Sequence, residues 1–338
     1  MIISRTPMRV SFAGGGTDFE NYYRNGSGAV VSTAVDKYIY ITVNKKFDDL
    51  IRVSYSSTEI VDSVDKIEHN IIRESLKLVG IDKGIDIVYM GDVPLGSAGV
   101  GLGSSSSLAV GVLNALYAYT GRYASPQKLA EDACRIEIDI LGHPIGKQDQ
   151  YAAAYGGFNY IQFNHDDSIF VDPVICPREL KETLNNRLML FYTGVTRVSS
   201  TILEKQNKNI PEKTRYLDRL VALAKELRMA IVNNDLDAFA DILNECWKNK
   251  VQLADGITND EIDTMYKKAL KAGARGGKLL GAGGGGFLLL YCEEKYQDNL
   301  RLTFAGFKES RFNFESQGSK IIYISDCDVS WKRSEVKV

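Results

Sequence analysis

The residues with the most evident chemistry lie between 94 and 107: Pro94-Leu95-Gly96-Ser97-Ala98-Gly99-Val100-Gly101-Leu102-Gly103-Ser104-Ser105-Ser106-Ser107. Leu108, Val112, Ala115, Leu116 and Tyr119 follow at helical spacing. Glycine lets the main chain approach an anion. A helix start adds free N–H groups and the positive end of the helix dipole. The stretch therefore reads as a phosphate cradle, with Gly96, Gly99, Gly101, Leu102, Gly103, Ser104, Ser105 and Ser106 as its contact residues. Two better-known phosphate motifs are excluded. GxxxxGK[ST] needs a lysine, and serines follow Gly103 instead. The glycines at 99, 101 and 103 lack the GxGxxG spacing, and no acidic residue closes a second strand about 20 residues later.

Further candidates surround this loop in sequence. On a wheel of about 100° per residue, the helix predicted over Ser125–Leu141 places Ile136, Leu129, Ile140, Ala133, Ala130, Leu141 and Cys134 on one half. Glu131, Arg135, Asp139 and Asp132 fall on the other. Glu137 breaks the pattern, lying inside the apolar half. An inward carboxylate is costly unless it meets a buried cationic side chain or a metal ion. Beside a phosphate loop, Mg²⁺ is the favoured partner, because it takes one or two carboxylates plus substrate phosphates. Asp149, in Gly146-Lys147-Gln148-Asp149-Gln150-Tyr151, reads either as a turn former or as an anion that orients an attacking hydroxyl. Arg9 alternates with apolar neighbours and reads either as a surface arginine or as a site residue beside the turn Gly14-Gly15-Gly16-Thr17-Asp18. Asp18 and exposed backbone beside that turn suit sugar hydroxyls. The run at 281 to 286 ends in four consecutive glycines before an apolar strand, which points either to a flexible loop or to close backbone approach. His69, His143 and His165 have no metal-ligand spacing, and no Gly-x-Ser-x-Gly elbow is present.

The elements that must position these groups are mixed. Strands are expected over 1–13, Val30–Val43, Ile51–Tyr55, Ile85–Met90, 157–163, 168–171, Leu188–Tyr192, Phe287–Tyr291 and Ile321–Ile324. Helices are expected over 66–79, after the loop as far as Gly121, from Ser125-Pro126 to Gly142, and as three helices between Pro211 and Lys271. The regular βαβ alternation of a doubly wound sheet is missing, so the fold class is α+β with two domains, 1–175 and 176–338. The chain of 338 residues is long enough for both.

A net charge of −2 supplies no bulk attraction to nucleic acid or to an anionic membrane, so an anionic ligand must be held by a local site. Five widely spaced cysteines without a CxxC pair read as reduced thiols. With no signal-peptide pattern and no apolar run of membrane-spanning length, the expected location is cytoplasmic.

Taken together, the motifs resemble those of the GHMP kinases, small-molecule kinases, in order from 7 to 291. Pro7-x-Arg9-Val10, then Gly14-x-x-Thr17-Asp18, is similar to the sugar-binding opening of galactokinases, with Gly15 and Gly16 where those have Glu and His. That exchange argues against galactose. Gly101-Leu102-Gly103-Ser104-Ser105-Ser106 resembles the family's nucleotide loop, and 281–286 its third glycine motif. The resemblance implies an N-terminal domain like part of ribosomal protein S5, a ferredoxin-like C-terminal domain, and ATP with Mg²⁺. It implies Asp149 as base or orienting anion, Arg9 beside the transferred phosphoryl, Ser105 and Glu137 as metal ligands, and Thr17, Asp18, Gly283 and Gly284 at the substrate. The first motif, with Gly146-x-x-Asp149-Gln150, is most similar to that of the branch that phosphorylates the anomeric hydroxyl of D-glycero-D-manno-heptose 7-phosphate. The product there is the 1,7-bisphosphate, used for GDP-heptose and surface glycans. The partner implied is a small-molecule sugar phosphate. Another sugar, of the fucose or galactose type, is the neighbouring alternative, and a non-catalytic nucleotide-binding member is the alternative of another class. Lys147, Arg197 and Arg275 are candidates for the substrate's own phosphate.

Overall fold

Two long strands, β1 (Ile2–Ala13) and β2 (Ser27–Lys45), set the frame and pair antiparallel from Ile2–Val43 to Ala13–Val31. Their register slips between Pro7 and Met8, beside a residue with no N–H to give to the ladder. The computed structural model describes residues 1–93, 101–195 and 199–325. Gly96 and Gly99 of the phosphate loop, and Arg197, lie outside the described residues.

The first half adds β3 (Ile51–Ser54), β4 (Thr58–Val61), β5 (Ile85–Gly91), β6 (Phe158–Asn164) and β7 (Ile169–Pro173). β5 pairs with the C-terminal part of β2 and β6 with its N-terminal part, while β3 joins β5 in parallel. The second half builds a separate antiparallel sheet from β8 (Leu188–Tyr192), β9 (Ala274–Leu279), β10 (Phe287–Cys292) and β11 (Lys308–Glu309), in the order β11-β8-β10-β9. With helices after β8 and β10, this is the βαββαβ unit of a ferredoxin-like domain. The chain then returns to the first sheet. β12 (Phe314–Glu315) pairs with β2 and β13 (Lys320–Ile324) with β1.

Helices cover one side of each sheet and fill the space between them. The first part holds α1 (Glu20–Tyr23), α2 (Asn70–Val79), α3 (Ser104–Tyr119), α4 (Pro126–Cys134) and α5 (Gln148–Tyr155). The second holds α6 (Arg178–Arg187), α7 (Ser199–Lys208), α8 (Ile210–Val232), α9 (Leu236–Lys250), α10 (Asp260–Lys271) and α11 (Glu294–Thr303). α3 is buried along most of its length and lies against β1: Ser107 Oγ donates to the Pro7 carbonyl at 2.9 Å and Ser4 Oγ to that of Gly111 at 2.8 Å. This contact fixes where the start of α3 points. One buried apolar cluster runs through both sheets.

The helix expected over Ser125–Leu141 starts as predicted. Ser125 accepts from the Lys128 N–H, and Pro126 occupies the first turn. It does not stay α-helical. Arg135–Ile140 winds as a π-helix, whose extra residue per turn rotates the wheel. Ile140, expected inside, is 46% exposed; Asp132, expected outside and lying in α4 ahead of the π-turn, is 3% exposed and accepts from Tyr117 Oη at 2.6 Å. Glu137 remains fully buried.

Candidate active site

Arg9 sits on β1 with only 3% of its surface exposed. Its Nε and Nη2 donate to Oδ1 and Oδ2 of Asp149, each at 2.7 Å, and Nη1 donates to the Gly101 carbonyl at 2.6 Å. Two parallel charge-assisted bonds of this kind fix geometry as well as charge. The Arg9 backbone N–H donates to the Leu102 carbonyl at 3.0 Å. One residue thus ties β1 to the first turn of α5 and to the loop that enters α3. The N-terminus of α5 is held from a distance by Asp18, whose Oδ2 accepts from the Gln148 N–H at 3.1 Å and Oδ1 from that of Gly16 at 2.9 Å. Burial, followed by the nearby Asp149 charge, pushes the Asp18 carboxyl up despite these bonds.

Two cavities meet at this pair. The larger, about 800 Å³, is lined by Gly101, Gly103, Ser104 and Ser105 on one side and by Tyr55 and Tyr89 on another. The smaller, about 80 Å³, is lined by Gly15, Gly16, Asp18, Gln148, Lys250 and Lys278. Arg9, Asp149, Ile145, Leu203, Gly281 and Ala282 line both. A Cβ on Gly101, at φ +87°, would lie 2.6 Å from the Leu280 carbonyl oxygen. The glycine at this position lets the two glycine-rich turns pack backbone to backbone.

Glu137 faces the start of α3. Gln150 Nε2 donates to its Oε2 at 2.7 Å, and Oε1 is buried without a hydrogen-bond partner among the described residues. Burial raises the carboxyl to about 7; the Ser106 and Ser105 hydroxyls and the Gln150 amide oppose the rise, and the Asp149 charge adds to it. Among the described residues no group of three or more His, Cys, Asp or Glu could hold a metal ion. A nucleotide-borne magnesium ion needs only one or two carboxylates, and the orphaned Oε1 beside serine hydroxyls fits that requirement.

Several expected positions fall differently. Thr17 was expected at the substrate. Its hydroxyl instead donates to the Gly14 and Ala29 carbonyls and accepts from the Ala29 N–H, so it fastens the turn to β2 and does not line the smaller cavity. Gly283 lines the larger cavity and Gly284 neither; the Gly284 N–H donates to the Ile257 carbonyl at 2.9 Å. The Leu102 side chain is in the core, and Ser106 is buried toward Glu137, leaving Gly101, Gly103, Ser104 and Ser105 on the cleft. Lys147 pairs with Asp167, and Arg275 with Asp237 and Asp241, away from both cavities. Lys250 and Lys278 are cavity residues that the motifs did not indicate. The Lys250 signal was available: it continues the buried stripe Phe239, Leu243, Cys246, Trp247 of α9, as Glu137 interrupts its own helix.

The match to family models agrees with this geometry. Residues 64–157 match the GHMP kinases N-terminal domain and residues 220–305 the GHMP kinases C-terminal domain. The chain belongs to the GHMP kinase family and is an ATP-dependent kinase that transfers a phosphoryl group to an alcohol group. Among its relatives, D-glycero-alpha-D-manno-heptose 7-phosphate kinase of Campylobacter jejuni is 31% identical over 317 residues, covering 88% of this chain and 91% of that one. Galactokinase of Pyrococcus furiosus is 28% identical, covering 84% and 87%. The crystal structure of a D-glycero-D-manno-heptose 1-phosphate kinase from Bacteroides thetaiotaomicron superposes with a TM-score of 0.80 at 25% identity, covering 96% of this chain and all of that one. No helix of the described residues is long and apolar enough to cross a membrane.

Proposed function

We propose that this kinase phosphorylates the anomeric hydroxyl of D-glycero-D-manno-heptose 7-phosphate. The observation that carries the reading is the Arg9–Asp149 pair, a buried arginine and a half-buried carboxylate placed where a nucleotide-sized cleft meets a smaller pocket. A donor and an acceptor entering from the two sides would meet there. Gly103, Ser104 and Ser105 at the start of α3 line the larger cleft, where the N–H groups of a helix's first turn would suit the phosphates of ATP. Asp149 would orient the acceptor hydroxyl, and Arg9, already held by Asp149, would balance charge on the phosphoryl in transfer. Asp18 and the backbone at Gly15 and Gly16 would bind ring hydroxyls. Glu137 and Ser105 would hold magnesium, which when bound supplies charge neutralisation for the nucleotide's phosphates.

Sugar phosphate is favoured over galactose by the absence of side chains at Gly15 and Gly16, and by the heptose-kinase relatives. The two heptose kinases differ in the phosphate position their names give, so the acceptor carbon needs a direct test. ADP release is to be measured with heptose 7-phosphate, free heptose, galactose, fucose and mevalonate. Heptose 7-phosphate is expected to give the highest kcat/KM. A higher value for any other acceptor rejects the assignment, and nucleotide binding without turnover on the whole panel supports a non-catalytic member.

A further inference from the structure

Lys250 and Lys278 are buried lysines that phosphoryl transfer as described leaves unused. They are 6% and 3% exposed, and they line the smaller pocket without reaching the larger. Lys250 Nζ donates to the Leu279 and Gly281 carbonyls, and Lys278 Nζ donates to the Phe12 carbonyl at 3.1 Å. An ammonium carries three N–H donors. One on Lys250 and two on Lys278 therefore have no protein acceptor among the described residues, and neither lysine has a carboxylate partner there.

The neighbouring charges do not supply one. Asp149 holds Arg9 bidentately and Asp18 accepts from two backbone N–H groups, and among the described residues neither makes an ion pair with either lysine. Burial drives both lysines below their ordinary value, Lys278 to about 8; Arg9 lowers both further and Lys278 lowers Lys250, while Asp18 raises both and Asp149 raises Lys250. Cys246, beside Lys278, is a buried thiol pushed up to about 12 and so carries no negative charge. Buried charges in folded proteins are paired or bind a ligand. Fastening the turn that starts at Gly281 explains the Lys250 bonds, and tying β9 to β1 explains the Lys278 bond. It does not explain why two lysines with unfilled donors share a pocket whose carboxylates, Asp18 and Asp149, form no ion pair with them.

We propose that Lys250 and Lys278 form a seat for a phosphoryl group at the floor of the smaller pocket. Its source is either the acceptor's own phosphate or the group leaving ATP. The binding claim stands on the pocket, and only the choice of source rests on the sugar phosphate reading.

The test has two arms. In the first, thermal unfolding is followed with ADP and magnesium saturating the nucleotide cleft. Added inorganic phosphate, against sodium chloride of matched ionic strength, is expected to raise the Tm of the wild type and not that of Lys278→Met or Lys250→Met. A wild type that ignores phosphate, or variants that respond equally, overturns the seat. If a methionine variant fails to fold, the wild-type response and Lys278→Gln still decide.

The second arm is kinetic. If the acceptor's phosphate is the occupant, Lys278→Met raises KM for heptose 7-phosphate by about ten- to a hundredfold and leaves KM for ATP and for free heptose unchanged. If the group in transfer is the occupant, kcat falls for both acceptors with KM unchanged, and Lys278→Arg restores part of it. A loss confined to KM for ATP and to the urea midpoint assigns the lysines to structure and overturns the seat. Should no acceptor on the panel turn over, the proposed function falls while the phosphate arm still judges the seat.

Discussion

Glu137→Gln replaces a buried carboxylate with a neutral group of the same shape, and its effect has a sign that depends on pH. The glutamine carbonyl can still accept from Gln150 Nε2, so the bond to α5 is kept. In the wild type the carboxyl moves from an ordinary value of 4.5 to about 7 on folding, chiefly through burial. The native state therefore holds this proton more tightly than the unfolded state. Its stabilising contribution is complete below about pH 4.5 and is lost as pH rises through about 7. The difference, about 2.5 pH units at ~1.4 kcal/mol each, is about 3 kcal/mol by pH 8. Titrating groups remote from Glu137 are common to both proteins and cancel in the comparison; Asp149, Cys134 and His143, which face Glu137, shift with it and are part of the measured difference. Urea unfolding of the nucleotide- and metal-free proteins is expected to give stabilities within about 1 kcal/mol of each other at pH 4.5. At pH 8 the variant is expected to be more stable by about 3 kcal/mol. Magnesium with ADP should then stabilise the wild type more than the variant, because on the proposed reading the carboxylate would hold the cation and the amide would not. A variant less stable than the wild type at pH 8, or a difference independent of pH, refutes the reasoning.

Other substitutions separate chemistry from architecture. Asp149→Asn keeps the shape beside Arg9 and removes the charge; turnover should fall by about two to four orders of magnitude in a coupled ADP assay, and near-normal turnover would deny Asp149 its role. Gly101→Ala forces a methyl group against the Leu280 carbonyl at an unfavourable φ, so the urea midpoint should drop and KM for ATP rise together. Thr17→Val removes a buried hydroxyl with three backbone partners; stability should fall by about 1–3 kcal/mol in urea with KM for the acceptor unchanged, and a selective KM increase would return Thr17 to the substrate. Ser125→Ala removes the cap of α4 and should cost about 1 kcal/mol in the same experiment.

Local chemistry made part of this molecule legible. β1, β2 and β5, the start of α3 and the Ser125 cap were readable because periodicity and capping are properties of neighbouring residues. α5 read as a loop because no side chain of its own caps its start; Asp18, 130 residues away in sequence, provides that bond. β9 was hidden by Gly276 and Gly277, which look like a turn. A Cβ at Gly276 would lie 2.4 Å from the Ala240 carbonyl oxygen, so the strand is glycine-rich to admit α9. Glu137 was found by the wheel even though the π-turn carried Ile140 outward; Asp132, ahead of that turn in α4, is buried because Tyr117 and Lys128 satisfy its carboxylate. The Arg9–Asp149 pair joins residues 140 apart, and only the fold brings them together.

The product of the reaction tests the central claim most directly. The protein is to be incubated with ATP, magnesium and D-glycero-D-manno-heptose 7-phosphate, and the mixture followed by phosphorus NMR. The expected result is one ADP per acceptor consumed and a second phosphate ester resonance coupled to the anomeric proton. ADP formed equally without acceptor, or a new phosphate on any other carbon, would contradict a site in which the anomeric hydroxyl meets ATP at Arg9 and Asp149.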